Sequence, residues 1–189
     1  MDTLSTATDE RSPLQERLLS CIRDVPDFPE PGVLFKDITP LLADPAAFSD
    51  LVDALADLAR RHEVTKVVGL EARGFILAVP AAVRAGVGFV PVRKAGKLPG
   101  PTAARSYDLE YGSAKIEVQR DAFAPTDRVL IIDDVLATGG TLEASIRLVR
   151  DVGADVVAVG VLMELGFLGG RARLAPLLGE VPLEAVLTL

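Results

Sequence analysis

An α/β fold, a mostly parallel sheet flanked by helices, is predicted by three observations. The runs KVVGL (66–70), VGFVPV (87–92), RVLIID (128–133) and DVVAVGVLM (155–163) are short and continuously apolar. Strands covered on both faces look like this, because neither face has to meet water. Helical patterns at about 74–85 and 140–152 separate members of the series, as crossovers between parallel strands require. The 189 residues, 49% of them hydrophobic, suffice for one filled core.

Along the chain, residues 1–12 are polar and rich in Ser and Thr, with too little apolar surface to offset ordering, and are expected to form a disordered tail. Residues 13–189 are expected to form a single domain. A first helix is predicted from Pro13 to Arg23. The following segment carries prolines at 26, 29, 31 and 40 and is expected to be ordered but irregular, since each proline removes a donor and restricts its predecessor. A second helix begins at Asp44 as N-cap with Pro45 at its first position, and Phe48, Leu51, Val52, Leu55, Leu58 and Ala59 share one face. Between the second and third apolar runs lies a long connection, basic and rich in Pro and Gly at its start, with strand character at IEV (116–118). A connection of that length in a compact domain is usually functional.

Composition removes several function classes. A net charge of −7 argues against a nucleic-acid surface, which depends on Lys and Arg meeting phosphates. One cysteine, Cys21, and one histidine, His62, leave no disulfide framework and no Cys/His zinc site. Cys21 is expected to be a small buried hydrophobe, and His62 a partner for the end of its helix. The acidic N-terminus does not resemble a signal peptide, and no stretch reaches the ~20 apolar residues of a membrane span. A cytoplasmic protein is expected, with no membrane partner.

The most informative stretch is VLIIDDVLATGGT (129–141). A buried strand ends in two carboxylates, Asp133 and Asp134, followed by Ala137, Thr138, Gly139, Gly140 and Thr141 before a helix. At the carboxyl edge of a parallel sheet, such a turn offers backbone amides, hydroxyls and the positive end of a helix to a phosphate monoester. Asp133 and Asp134, expected to be exposed at the strand end, would repel that anion if they faced it. They suit ribose hydroxyls about one sugar-width away. In isolation the pair could merely end a strand and cap a helix. The chain has neither a Gly-Lys-Ser/Thr loop nor a G-x-G-x-x-G turn opening a helix, so the Walker and dinucleotide readings do not apply.

This stretch resembles the signature of the type I phosphoribosyltransferases, which bind 5-phosphoribosyl 1-pyrophosphate (PRPP). PDFPEPGVLFKDITPLL (26–42), GLEARGF (69–75), RKAGKLPG (93–100) and SYDLEYG (106–112) extend the resemblance to about residues 13–175 and point to the adenine branch of that family. The resemblance implies the type I fold with a small hood from about residues 13–40 and a flexible catalytic loop. It implies PRPP binding by Arg73, Arg93, Lys94 and Lys97 as well as by the 133–141 loop, with part of the basic cluster reaching a neighbouring subunit of a homodimer. It places Leu34, Phe35 and Lys36 at the adenine, Phe35 stacking on the ring; Lys36 stands where a member of the family carries arginine, so a contact needing a guanidinium would be lost here. A cis peptide is implied at Glu71–Ala72. Glu110 is implied near the base as the general acid/base, with Tyr111 shielding the closed site.

The reaction so implied joins adenine and PRPP to give AMP and pyrophosphate, in purine salvage, with Mg²⁺ held mainly by PRPP and water rather than by protein ligands. A 6-oxopurine transferase would share the PRPP residues and differ in its base contacts. A non-enzymatic PRPP or purine sensor on the same fold would be expected to carry a basic DNA-binding module.

Overall fold

A computed structural model describes residues 11–108 and 113–189. The chain divides into two compact units, one ending at Asp50 and the other Leu51–Leu189, so that the division falls inside one helix.

In the first unit, α1 (Pro13–Ser20) opens with a capping box. The Ser12 hydroxyl accepts from the Gln15 N–H, and the Gln15 side chain accepts from the Ser12 N–H. Ser12 therefore belongs to the helix rather than to a tail. The helix also stops earlier than its pattern predicts. The N–H groups of Cys21 and Ile22 turn back to the carbonyls of Leu18 and Leu19, and Arg23 enters a strand. That strand, β1 (Arg23–Pro26), pairs antiparallel with β2 (Leu34–Asp37). The proline-rich segment is thus a two-stranded ribbon. Its turn contains a cis Phe28–Pro29 bond and Asp27 at φ 56°, whose carboxylate accepts the Gly32 N–H at 2.7 Å. A short α2 (Thr39–Ala43) leads to α3 (Pro45–Arg61). Asp44 caps α3 as expected, with Oδ1 accepting from Ala46 and Ala47.

The second unit is a seven-stranded sheet in the order β5-β6-β4-β3-β7-β8-β9. Its strands are β3 (Lys66–Leu70), β4 (Gly88–Lys94), β5 (Thr102–Asp108), β6 (Ser113–Gln119), β7 (Arg128–Leu136), β8 (Asp155–Glu164) and β9 (Leu183–Thr188). From β4 to β9 neighbours run parallel, and β5–β6 is an antiparallel hairpin on one edge. The helices are α4 (Arg73–Ala85), α5 (Gly140–Asp151) and α6 (Gly170–Leu178). On one face Val68, Val129, Ile131 and Val159 pack with Leu142, Ile146 and Val149 of α5. On the other, Gly69 admits Ala78 of α4, and Gly160 admits Leu55 and Leu58 of α3; a Cβ would lie 2.8 Å from Ala78 at Gly69, and 2.9 Å from Leu58 and 3.4 Å from Leu55 at Gly160. Each fully buried Leu, Ile or Val contributes roughly 1.5–3 kcal/mol. Such a core holds the carboxyl ends of β3, β4 and β7 side by side.

Candidate active site

The strand β7 runs three residues past Asp133 and ends at Leu136. Asp133 and Asp134 are therefore strand residues, and the expectation that both are exposed fails. Asp134 is only 6% exposed and Asp133 is half-buried. The cause is the first turn of α4, which lies against them. A Cβ at Gly74 would stand 2.8 Å from Asp133 Oδ1 and 3.0 Å from the Ile132 carbonyl, so only glycine permits that approach. Arg73, beside it, brings Nε to 2.9 Å from Asp134 Oδ2.

After Leu136 the chain turns through Ala137, Thr138 and Gly139, the last at φ 83°, and α5 begins at Gly140. This turn rests on the start of α6, where a Cβ on Gly170 would be 2.2 Å from the Ala137 carbonyl. The turn and the two carboxylates line a cavity of about 250 Å³, which also takes in Glu71, Arg73 and Tyr107. Tyr107 and Thr141 join their hydroxyls at 3.4 Å, tying β5 to the first turn of α5.

The electrostatics of the acid pair follow from burial. Loss of water pushes the Asp133 carboxyl well above its ordinary value, and the neighbouring Asp134 charge pushes it further. Asp134 is raised as well, by burial first, with Arg73 opposing the rise. Such a pair holds protons more tightly than two free carboxylates. Hydrogen-bond donors brought by a ligand would stabilise its charge.

The basic cluster faces a different carboxylate. Glu71 follows β3, its N–H donating to the Val92 carbonyl at 3.0 Å, so strand register sets it beside Arg93. Its carboxylate accepts from Arg93 at 3.2 and 3.3 Å, from Lys97 Nζ at 3.4 Å and from the Lys94 N–H at 3.0 Å. Burial raises its pKa, but the Lys94 N–H, Arg93 and Lys97 outweigh that, and the group lies below its ordinary value. The cis bond at Glu71–Ala72 is present. Arg93 and Lys94 lie at the end of β4, with only Lys97 in the turn beyond. That turn is anchored by Glu117 of β6, a buried carboxylate accepting from the N–H groups of Lys97 and Leu98 and from the Thr102 hydroxyl.

Among the residues assigned to the base, Leu34 is about half exposed, and Phe35 meets Phe28 edge-on with centroids 5.1 Å apart. Lys36 Nζ is held by Asp24 at 2.7 Å. Glu110 and Tyr111 lie outside the described residues.

A phosphoribosyl transferase domain model matches residues 38–173. The adenine phosphoribosyltransferase of Streptomyces avermitilis is 69% identical over 176 residues, covering 93% of this chain and 97% of that protein. The chain belongs to the adenine phosphoribosyltransferase family. Among solved structures, the Rhodothermus marinus adenine phosphoribosyltransferase aligns at a TM-score of 0.86 with 53% identity, over 93% of this chain and 98% of its own. The Saccharomyces cerevisiae enzyme, solved with adenine and an imino-altritol bisphosphate, aligns at 0.84 with 38% identity, over 92% and 98%.

The family's α/β fold and signature loop thus coincide with the cavity built by β7 and α5. Sequence reasoning missed Glu71 and Tyr107 as cavity residues, although both lie inside motifs it quoted, GLEARGF and SYDLEYG. It also missed Glu117, whose KIEV setting gives no sign that its side chain turns inward onto a loop. Among the described residues no group of three or more His, Cys, Asp and Glu could hold a metal ion. The carboxylates lining the cavity are those of Asp133, Asp134 and Glu71.

Proposed function

We propose that the chain transfers the phosphoribosyl group of PRPP to adenine, giving AMP and pyrophosphate, as its family membership supports. One observation carries this reading to the residues: the 133–141 loop and Arg73 line a single cavity that joins an anion cradle to paired carboxylates. The amides and hydroxyls of Ala137, Thr138, Gly139, Gly140 and Thr141 hold the 5-phosphate at the start of α5. Asp133 and Asp134 accept from the ribose hydroxyls, and Arg73, Arg93, Lys94 and Lys97 take the pyrophosphate. The C1–oxygen bond to pyrophosphate breaks as the bond from adenine N9 to C1 forms, and Glu110 accepts the proton the purine gives up. Holding both reactants in line is the larger part of the task.

Mg²⁺ fits this donor set as an ion carried by the substrate. The hard carboxylate oxygens of the cavity can bind its waters and the ribose hydroxyls, and the ion supplies neutralisation of the leaving pyrophosphate. Residues 13–189 act as one phosphoribosyltransferase domain, in which Leu34, Phe35 and Lys36 of the segment 13–40 bind adenine. The working form is a cytoplasmic homodimer in purine salvage; no helix among the described residues is long and apolar enough to cross a membrane.

The test is AMP formation from adenine, PRPP and Mg²⁺, with hypoxanthine as competitor. Turnover of adenine is expected to dominate; equal or greater turnover of hypoxanthine would move the chain to the 6-oxopurine class.

A further inference from the structure

Two of the cations assigned to pyrophosphate, Arg93 and Lys97, are already held by an anion of the protein itself. Glu71 stands at the carboxyl end of β3, next in register to the pair Leu70–Val92, which places its carboxylate against Arg93 of the adjacent strand. It is pinned there. The side chain is 12% exposed, and one oxygen accepts the Lys94 N–H at 3.0 Å.

The cations are held less closely than the carboxylate is. Arg93 stands at 3.2 and 3.3 Å and Lys97 at 3.4 Å, beyond the roughly 2.7–2.9 Å of a tight charge-assisted bond. Elsewhere in this chain an arginine and a glutamate with a structural task close fully: Arg171 meets Glu164 through three contacts of 2.5 to 3.0 Å. Glu164 is as buried as Glu117, and its bonds fasten α6 to β8. The Glu71 contacts are longer, one of them comes from a half-exposed lysine, and the carboxylate borders the cavity.

We propose that Glu71 is a placeholder for a pyrophosphate oxygen, a positioning residue that gathers Arg93 and Lys97 in the empty site and gives them up to the substrate. This rests on the pyrophosphate role proposed above for the basic cluster. Two consequences follow from simple competition. Arg93 and Lys97 stay gathered near the cavity before substrate arrives, which lowers the ordering cost of binding. The carboxylate also competes with pyrophosphate for the same donors, so pyrophosphate binds less tightly than the cations alone would hold it, and the product leaves sooner.

Glu71→Gln tests this, because the amide oxygen can still accept the Lys94 N–H while the competing charge is gone. Calorimetric titration with magnesium pyrophosphate is expected to show binding tightened about three- to tenfold, from the modest worth of two partly exposed ion pairs. The KM for PRPP is expected to fall while kcat falls or stays level as product release slows. A merely structural Glu71 predicts the opposite, unchanged or weaker pyrophosphate binding, and that result overturns the proposal. Should the variant not fold, a crystal structure of the parent protein with magnesium pyrophosphate decides. Lys97 Nζ and Arg93 are expected on phosphate oxygens and away from Glu71; finding both still on Glu71 overturns the proposal. A parent protein that binds neither PRPP nor pyrophosphate would instead overturn the proposed function.

Discussion

Asp133 and Asp134 have one arginine near them, which pairs with Asp134, whereas Glu71 receives two cationic side chains and a peptide N–H; all three carboxylate residues line the same cavity. The first pair is raised above the ordinary carboxylate value and the second group is lowered below it. Burial raises all three, most strongly at Asp133, and only at Glu71 do the partners outweigh it. Where the protein supplies too few donors, a ligand's hydroxyls can complete the set; where it supplies cations, a ligand's anionic oxygens can replace the carboxylate. The proposed roles follow this contrast, the donor-poor pair in the cavity taking the sugar and the cations gathered on Glu71 at its border taking pyrophosphate.

The largest effect should come from removing the donor-poor end. In the Asp133→Asn, Asp134→Asn double variant, each lost charge-assisted acceptor is worth ~1.5–3 kcal/mol, so kcat/KM for PRPP should fall by ~10²–10⁴ with the fold kept. Circular dichroism checks the fold and steady-state kinetics the rest. Parental PRPP affinity would remove the ribose hydroxyls from this pair.

Glu110 is the residue proposed to take the purine's proton. Glu110→Gln keeps shape and hydrogen bonding but not basicity, and turnover should drop by ~10²–10⁴ while PRPP binding stays nearly unchanged. If the variant keeps more than about a third of parental turnover with chemistry limiting, Glu110 is not the base and the proton goes to water.

Glu117 sharpens the donor-rich side. Its Oε1 accepts two loop amides and its Oε2 the Thr102 hydroxyl. Glu117→Ala removes the shared acceptor of the part-buried Lys97 and Leu98 amides and should cost about 1–3 kcal/mol in urea unfolding. Glu117→Gln can still accept both amides with its oxygen and donate to Thr102 with its nitrogen, so it should recover most of that loss. Equal destabilisation by Ala and Gln would show that the charge, rather than the hydrogen-bond geometry, holds the loop.

How much of this is visible in the sequence depends on the distance over which each feature is decided. The central strands are continuous apolar runs, and Asp44 with Pro45 marks a helix start within two residues, so those features are local. The ribbon of β1 and β2 hides behind its prolines. Strand β9, LEAVLT, buries only Leu187 fully and shows no run comparable to DVVAVGVLM. The 133–141 loop is legible because its chemistry is consecutive in the chain. Glu71 against Arg93, and Glu117 against Lys97, are separated by about twenty residues and joined by strand register. The burial of Asp134 depends on α4, whose approach is permitted by Gly74. No local pattern signals either.

The smallest effect concerns stability and its sign with pH. Asp133 in the folded chain holds its proton more tightly than in the unfolded chain, where the ordinary value is 3.8. Between those two values the folded state binds more protons. Relative stability is therefore fully present below 3.8 and is lost as pH rises through the raised native value. Above that range the protein carries a buried charge with little compensation, a cost borne by a site waiting for its ligand. Asp133→Asn removes the titration while keeping the oxygen that accepts the Asp134 N–H. Its melting temperature should accordingly exceed the parent's at pH 8, and the gap should narrow toward pH 4, by scanning calorimetry without ligand. Saturating PRPP and Mg²⁺ should reverse the order at pH 8, because the parent alone gains the ribose contacts. A gap that widens as the pH falls would mean that Asp133 is stabilised as an anion in the empty site, and the contrast with Glu71 would vanish.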